Sequence, residues 1–343
     1  MKAVVLKTDH RFELEEVEEP KLEKSTDVVV KVTKSAICGS DIHTKHGLIP
    51  GVVPGTIIGH EFVGVVHSAG PDVIQFKPGD RVAASPTTWC GVCGPCRRGE
   101  PQHCVNGRIF GGPGGLQGAQ TELVRVPFAD NCLMAIPDNV KDDDAVFVGD
   151  VLVTGYSAAY EGKIKTADTV VIFGCGPIGI GALIGTLQFG PKRVFAVDMM
   201  DKRLALAKSF GAVTLDAREG RVVERIREAT HDEGADVALE AAGAPEAFLN
   251  AVRSVRRGGM VSVVGIFPAP VEIPLHELCL YGVKISMGLG SPSANDKIMG
   301  LVEGGRIQPG PLATHVFPLD SAIEAYELFE YHKEDCVKVL LEP

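Results

Sequence analysis

Cys90, Cys93, Cys96 and Cys104 run as C-x2-C-x2-C-x7-C. Thiolates are good zinc ligands, and four of them close a tetrahedral shell that leaves no position open for a substrate. Gly91, Gly94 and Gly99 let the loop bring the sulfurs round one ion. The spacing predicts a structural zinc. Disulfides and an iron–sulfur cluster are the competing uses of such cysteines.

A second group suits a dinucleotide. Gly174-Cys175-Gly176-Pro177-Ile178-Gly179 is a G-x-G-x-x-G that follows the apolar run TVVIF and opens an apolar helical stretch. Gly174 permits a tight turn, Gly176 lets the backbone approach a pyrophosphate, and Gly179 lets helix and strand pack closely. The helix N-terminus offers free N–H groups to phosphate. Asp198 ends the next expected strand, where a carboxylate accepts from ribose hydroxyls and repels a 2′-phosphate. That favours NAD, while Lys202 and Arg203 nearby leave NADP open.

A third group has weight only in combination. Cys38-Gly39-Ser40-Asp41-Ile42-His43 follows the expected strand VVVKVT, and Gly59-His60-Glu61 and Gly149-Asp150 come later. A catalytic zinc needs about three protein ligands and one open position, which Cys38, His60 and Asp150 can supply. Taken singly each is a weak signal, because a lone cysteine is usually a small buried hydrophobe.

The elements that must hold these residues fall into two patterns. Up to about Val151 the chain reads as short strands such as Val28 to Val32, Gly64 to Ser68 and Arg81 to Ala84, with turn signals between them. That is a barrel-like or sandwich-like β domain. From Thr169 strands alternate with helices: TVVIF, PIGIGALIGTLQF, RVFAVD, RLALAKSF, DVALEAAG, EAFLNAVRSV and MVSVVG. Such alternation predicts a parallel sheet with crossover helices, so the fold class is α/β. The tail adds a helix, SAIEAYELFEYH, and a final strand, CVKVLL.

Length and charge set the outer bounds. A chain of 343 residues suggests two domains, and it can bury a core without disulfide staples. The net charge of −10 argues against nucleic acid, which needs a dense basic surface. No run is apolar enough to span a membrane, and the N-terminus does not read as a signal peptide. A cytoplasmic protein is expected, with its nine cysteines as thiols or metal ligands.

Together, CGSDIH at Cys38 to His43, GHE at Gly59 to Glu61, the four-cysteine lobe, DVLVTGY at Asp150 to Tyr156, and GCGPIG with Asp198 carry a resemblance. The chain resembles, end to end, the zinc-containing alcohol dehydrogenases of the medium-chain dehydrogenase/reductase superfamily. The resemblance implies a GroES-like catalytic domain of residues 1–151 and 290–343, with the structural zinc lobe at 90–104. It implies a Rossmann NAD-binding domain at 152–289, with the active site in the cleft between the two domains. It implies two zinc ions per chain. Cys38, His60 and Asp150 would bind the catalytic one, with Glu61 as a switchable fourth ligand. Asp41 would fix the tautomer of His60, Ser40 would bind the substrate hydroxyl, and His43 would carry its proton onward. Thr154 would touch the nicotinamide, Gly265 and Ile266 would lie beside it, and Lys338 would sit near the cofactor phosphates. The second glycine loop, GGPGGLQG, either shapes the substrate cleft or is a surface loop.

The implied reaction is reversible hydride transfer between an alcohol and NAD, giving aldehyde or ketone. A thiolate, a neutral imidazole and a carboxylate make a zinc site formally neutral. Ligation by Glu61 would make it negative and a weaker Lewis acid, so Glu61 is expected off the metal during hydride transfer. Asp150 stands where the best-known members have cysteine, which looks like the secondary-alcohol and aldehyde-oxidising branches. Those secondary-alcohol enzymes often lack the four-cysteine lobe, so primary and secondary alcohols both stay open. A polyol or amino-alcohol dehydrogenase of the sorbitol or threonine type is the alternative on this scaffold. A non-catalytic NAD-binding protein is the remote one, since it could shed its metal ligands. The expected partners are a small-molecule substrate and further copies of the chain, as a homotetramer or dimer.

Overall fold

The computed structural model describes residues 1–332 and 336–343. The chain divides into two compact units, Met1–Asp150 with Ser291–Pro343, and Val151–Gly290.

A seven-stranded sheet organises the first unit. Its order is Ala313–Pro318, Lys338–Glu342, Val28–Ala36, Glu61–Ala69, Arg81–Ala84 and Leu133–Ala135, with Leu123–Val126 also paired to Val28–Ala36. Val28, Val29, Val30 and Val32 are buried at its centre, where β-branched side chains pack well on a pleated surface. Phe62 meets Phe110 edge to face at 5.2 Å within the same apolar cluster. A second cluster joins Val4, Ile37 and Ile58 to Tyr326, Val339 and Leu341, and so anchors the helix Ala322–Tyr331. Register then decides what becomes neighbouring. Ala36 lies opposite Glu61 on one side and opposite Leu340 on the other. Cys38, Glu61 and Lys338, far apart in sequence, are thereby carried to one place on adjacent strand ends.

The second unit is a six-stranded sheet in the order Val213–Asp216, Arg193–Asp198, Thr169–Phe173, Ala235–Glu240, Val255–Val263 and Lys284–Met287. Every pairing in it is parallel. Numbered along the chain the order is 3-2-1-4-5-6, the doubly wound arrangement whose ligands bind outside the strand ends where the winding reverses. The expected α/β class is therefore what forms. The fifth strand is longer than MVSVVG alone. It starts at Val255, directly after the helix Pro245–Ser254, and runs through Gly258 and Gly259 with a register shift against its neighbour. The glycine pair makes a bulge rather than a turn.

Candidate active site and metal centres

The short helix Gly39–Lys45 begins at Cys38, whose backbone N–H donates to Asp41 Oδ2 at 3.0 Å. That bond caps the helix and holds the Cys38 sulfur at its start. Ser40 and His43 are both half-buried on this helix. Three residues apart, they share one face.

His60 and Glu61 lead into the next strand, and Asp150 lies on the π-helical turn Val148–Leu152. Gly149 is required for that placement, because a Cβ there would lie 1.9 Å from the Ala84 carbonyl oxygen. Cys38, His60, Glu61 and Asp150 each offer a donor atom within 4.8 Å of the others. His60 Nε2 is 3.4 Å from Asp150 Oδ2 and 4.0 Å from Glu61 Oε1, and Cys38 Sγ is 3.9 Å from Asp150 Oδ2. On the other side of the ring, His60 Nδ1 lies 3.6 Å from Asp41 Oδ1. Burial alone would lower the His60 pKa, but Cys38, Asp150 and Asp41 hold it well above the ordinary value. A cluster of negative groups round one imidazole is also the setting a divalent cation requires. Sulfur, imidazole and carboxylate together suit zinc.

Lys338, expected beside the cofactor phosphates, has a carboxylate partner within its own unit. It is 1% exposed, and its ammonium is ion-paired with the Glu61 carboxylate. Burial pushes the Glu61 carboxyl up and the Lys338 ammonium opposes that push. Burial lowers Lys338, yet Glu61, Cys38 and Asp150 outweigh it and keep the amine charged. The strand Lys338–Glu342 is buried at its first four positions, Lys338 among them.

The four lobe cysteines also converge. Cys93 Sγ lies 3.4 Å from Cys96 Sγ and 3.7 Å from Cys104 Sγ, and Cys104 Sγ lies 3.6 Å from Cys90 Sγ. Asn106 Nδ2 donates to Cys90 Sγ at 3.3 Å and is the main cause that pulls this thiol down to about 6. Burial, then Cys93 and Cys104, pushes Cys96 up to about 12. Thiols this close cannot all ionise unless a cation lies among them. All nine cysteines are free, so no disulfide competes for these sulfurs.

In the second unit Gly174 has φ +91°, and a Cβ on Gly179 would lie 1.8 Å from the Gly174 carbonyl oxygen. The loop between them opens the helix Pro177–Leu187. Asp198 accepts the Cys175 N–H at 2.7 Å with Oδ2, and the Met199 and Met200 N–H groups at 2.7 and 2.9 Å with Oδ1. These bonds occupy both lone pairs of Oδ1 and leave one free on Oδ2. Arg203 reaches the loop, with a terminal nitrogen 3.7 Å from where a Gly176 Cβ would stand. Its buried Nε has no hydrogen-bond partner among the described residues. Thr154 lies on the helix Val153–Glu161 against Gly290. Gly265 packs on Glu240, and Ile266 is half exposed beside Gly243.

Several residues round these sites have no motif to announce them. Glu240, fully buried at a strand end, accepts the Ala242 and Gly243 N–H groups at 2.9 and 2.8 Å. Gln120 and Tyr326 reach Asp41 from distant parts of the chain. In the sequence they read as an isolated polar residue and as part of an amphipathic helix.

Comparisons with known proteins agree with this layout. Residues 24–138 match the alcohol dehydrogenase GroES-like domain, and residues 177–301 match the zinc-binding dehydrogenase domain. The zinc-type alcohol dehydrogenase B of Aspergillus flavus is 35% identical, over 97% of this chain and 79% of that protein. The sorbitol dehydrogenase of Bacillus subtilis is 32% identical, over 100% of this chain and 97% of that one. The solved alcohol dehydrogenase TADH from Thermus sp. ATN1 superposes with a TM-score of 0.94 at 38% identity, covering 100% of this chain and 99% of that one.

Proposed function

The chain belongs to the zinc-containing alcohol dehydrogenase family of the medium-chain dehydrogenase/reductase superfamily, and from that premise we propose that it oxidises a primary or secondary alcohol reversibly with NAD. The observation that carries the reading is the convergence of Cys38, His60, Glu61 and Asp150 within 4.8 Å. Cys38, His60 and Asp150 would hold the catalytic zinc, and the four lobe cysteines a structural one. Zinc supplies Lewis acidity, lowering the pKa of a bound hydroxyl or polarising a carbonyl, and the nicotinamide exchanges the hydride.

The protein's own groups do the rest. Lys338 neutralises Glu61 inside the protein, which keeps that fourth ligand from adding negative charge to the metal site. Asp41 faces His60 Nδ1 and leaves Nε2 for the metal. Ser40 binds the substrate hydroxyl and takes its proton, and His43, on the same helix face, passes it toward solvent. The Gly174–Gly179 loop and Arg203 receive the pyrophosphate, and Asp198 receives the adenosine ribose. Thr154, Gly265 and Ile266 contact the nicotinamide end.

We place the protein in the cytoplasm, where the lobe thiols stay reduced. No helix among the described residues is long and apolar enough to cross a membrane. A homo-oligomer, dimer or tetramer, belongs to the same reading. Lys284–Met287 ends the parallel sheet, and Leu275, Leu280 and Met287 are exposed on it and on the helix before it. Light scattering of the purified protein tests that part.

The test of the reaction is cofactor reduction over primary, secondary, aromatic and polyol substrates and hydrated formaldehyde, with NAD and NADP in parallel. Turnover of simple alcohols with NAD supports the proposal. Turnover of polyols alone selects the second reading, which the sorbitol dehydrogenase likeness favours. No turnover by zinc-loaded protein rejects the alcohol reading.

A further inference from the structure

Behind His60 lies a closed polar network that joins Asp41, from the Cys38–His43 motif, to two residues that no motif marks. Asp41, Gln120 and Tyr326 are 3%, 0% and 2% exposed. Tyr326 Oη donates to Gln120 Oε1 at 2.7 Å and also lies 3.2 Å from Asp41 Oδ2. Gln120 Nε2 donates to the same Asp41 oxygen at 3.2 Å. The Cys38 N–H reaches it too, at 3.0 Å. The Gln120 amide and the Cys38 N–H donate to Oδ2, the Tyr326 hydroxyl holds the Gln120 amide in place, and Oδ1 faces His60 Nδ1 at 3.6 Å.

Gln120 itself is held rigidly. Its backbone N–H donates to the Ile58 carbonyl oxygen, and its carbonyl accepts the Val4 N–H, each at 2.9 Å. Its side chain crosses directly over Gly59, where a Cβ would lie 2.5 Å from Gln120 Cγ. The glycine before His60 thus makes room for Gln120.

We infer that Gln120 and Tyr326 are positioning residues of the catalytic metal site, fixing the Asp41 carboxylate so that it orients the His60 ring. The inference rests on the reading of Cys38, His60 and Asp150 as zinc ligands. A carboxylate free to rotate about χ2 could offer either oxygen to His60. Fastening Oδ2 with the Gln120 amide, itself held by the Tyr326 hydroxyl, removes that freedom, and with it the freedom of the ring.

Two variants remove only the polar links. Tyr326→Phe keeps the ring that packs on Phe12 at 4.6 Å. Gln120→Met keeps the Cγ over Gly59. Zinc release to excess chelator is followed in the zinc-loaded protein, with Asp150→Ala identifying the phase that belongs to the catalytic site. Each variant is expected to speed that phase about 10-fold while the lobe phase stays unchanged. The double variant should fall well short of the product of the two, because both act through one carboxylate. Unchanged catalytic-site release in both variants, whatever happens to thermal stability, would reduce the network to ordinary core packing and overturn the inference. Wild-type protein with no Asp150-dependent phase would overturn the metal-site reading and this inference with it.

Discussion

Lys338 and Glu61 form an ion pair in which the side chains are 1% and 0% exposed, on strands that both flank Val28–Ala36. Neither charge reaches water, so each depends on the other. Removing one partner of such a pair typically costs about 3–5 kcal/mol, because the survivor is left buried and uncompensated. Lys338→Met should therefore lower stability by roughly that amount in urea unfolding. The double variant with Glu61→Gln should recover a large part of the loss. Additive losses would mean that the two groups do not sense each other.

Asp150→Ala removes one donor from the site of Cys38, His60 and Glu61 without touching the lobe cysteines. Metal content is expected to fall from two zinc ions per chain to one, with turnover nearly abolished and the fold retained by circular dichroism. Retention of both ions would remove Asp150 from the ligand set.

Cys93→Ser acts on the other centre, where Cys93 Sγ lies within 3.7 Å of both Cys96 and Cys104. A metal closed by four protein ligands contributes folding energy rather than chemistry. The variant should lose one zinc and melt several degrees lower, with kcat per folded molecule largely kept. Normal stability with full metal content would contradict a structural role.

Asp198→Ala tests cofactor choice. Asp198 gathers backbone N–H groups from Cys175, Met199 and Met200, so the change disturbs the turn as well as the ribose contact. Hydrogen bonds to a charged group contribute about 1.5–3 kcal/mol. The ratio of kcat/KM for NAD over NADP should fall by roughly one to two powers of ten. An unchanged ratio would leave Asp198 as a turn residue.

How far the sequence reached depends on how local each feature is. The parallel sheet was legible because TVVIF, RVFAVD and DVALEAAG are apolar runs set between helical stretches, and that pattern is local. Cys38, His60 and Asp150 stood out because each sits beside a glycine or a second polar residue in a short motif. The partner of Lys338 was not legible in the same way. A basic residue in VKVLL has no carboxylate beside it in sequence, and only the strand order puts Glu61 near it. Gln120 and Tyr326 were illegible because their partner, Asp41, comes to them only through the packed fold, across 79 and 285 residues of sequence. The helix Val222–Ala229 also escaped, since it follows a loop dense in Arg and Glu and buries only Val222 and Ile226.

Glu330 gives a prediction in pH. Its carboxylate is buried on the helix Ala322–Tyr331, with Lys45 Nζ at 2.5 Å and His46 Nε2 at 2.7 Å, both at the end of the helix that starts from Cys38. Burial alone would raise its pKa, but Lys45 and His46 prevail and hold it below the ordinary value of 4.5. A carboxyl whose folded pKa is depressed binds its proton more readily in the unfolded chain. Its stabilisation is therefore fully present above the unfolded value and is lost as pH falls through the lower folded one. Glu330→Gln should be less stable than the wild type at neutral pH. The gap should narrow as pH drops below about 4.5, because the wild type then loses the same charge. Unfolding midpoints of both proteins between neutral pH and about pH 3 measure this. A gap that stays constant across that range would mean that the Glu330 charge contributes nothing to holding the two helices together.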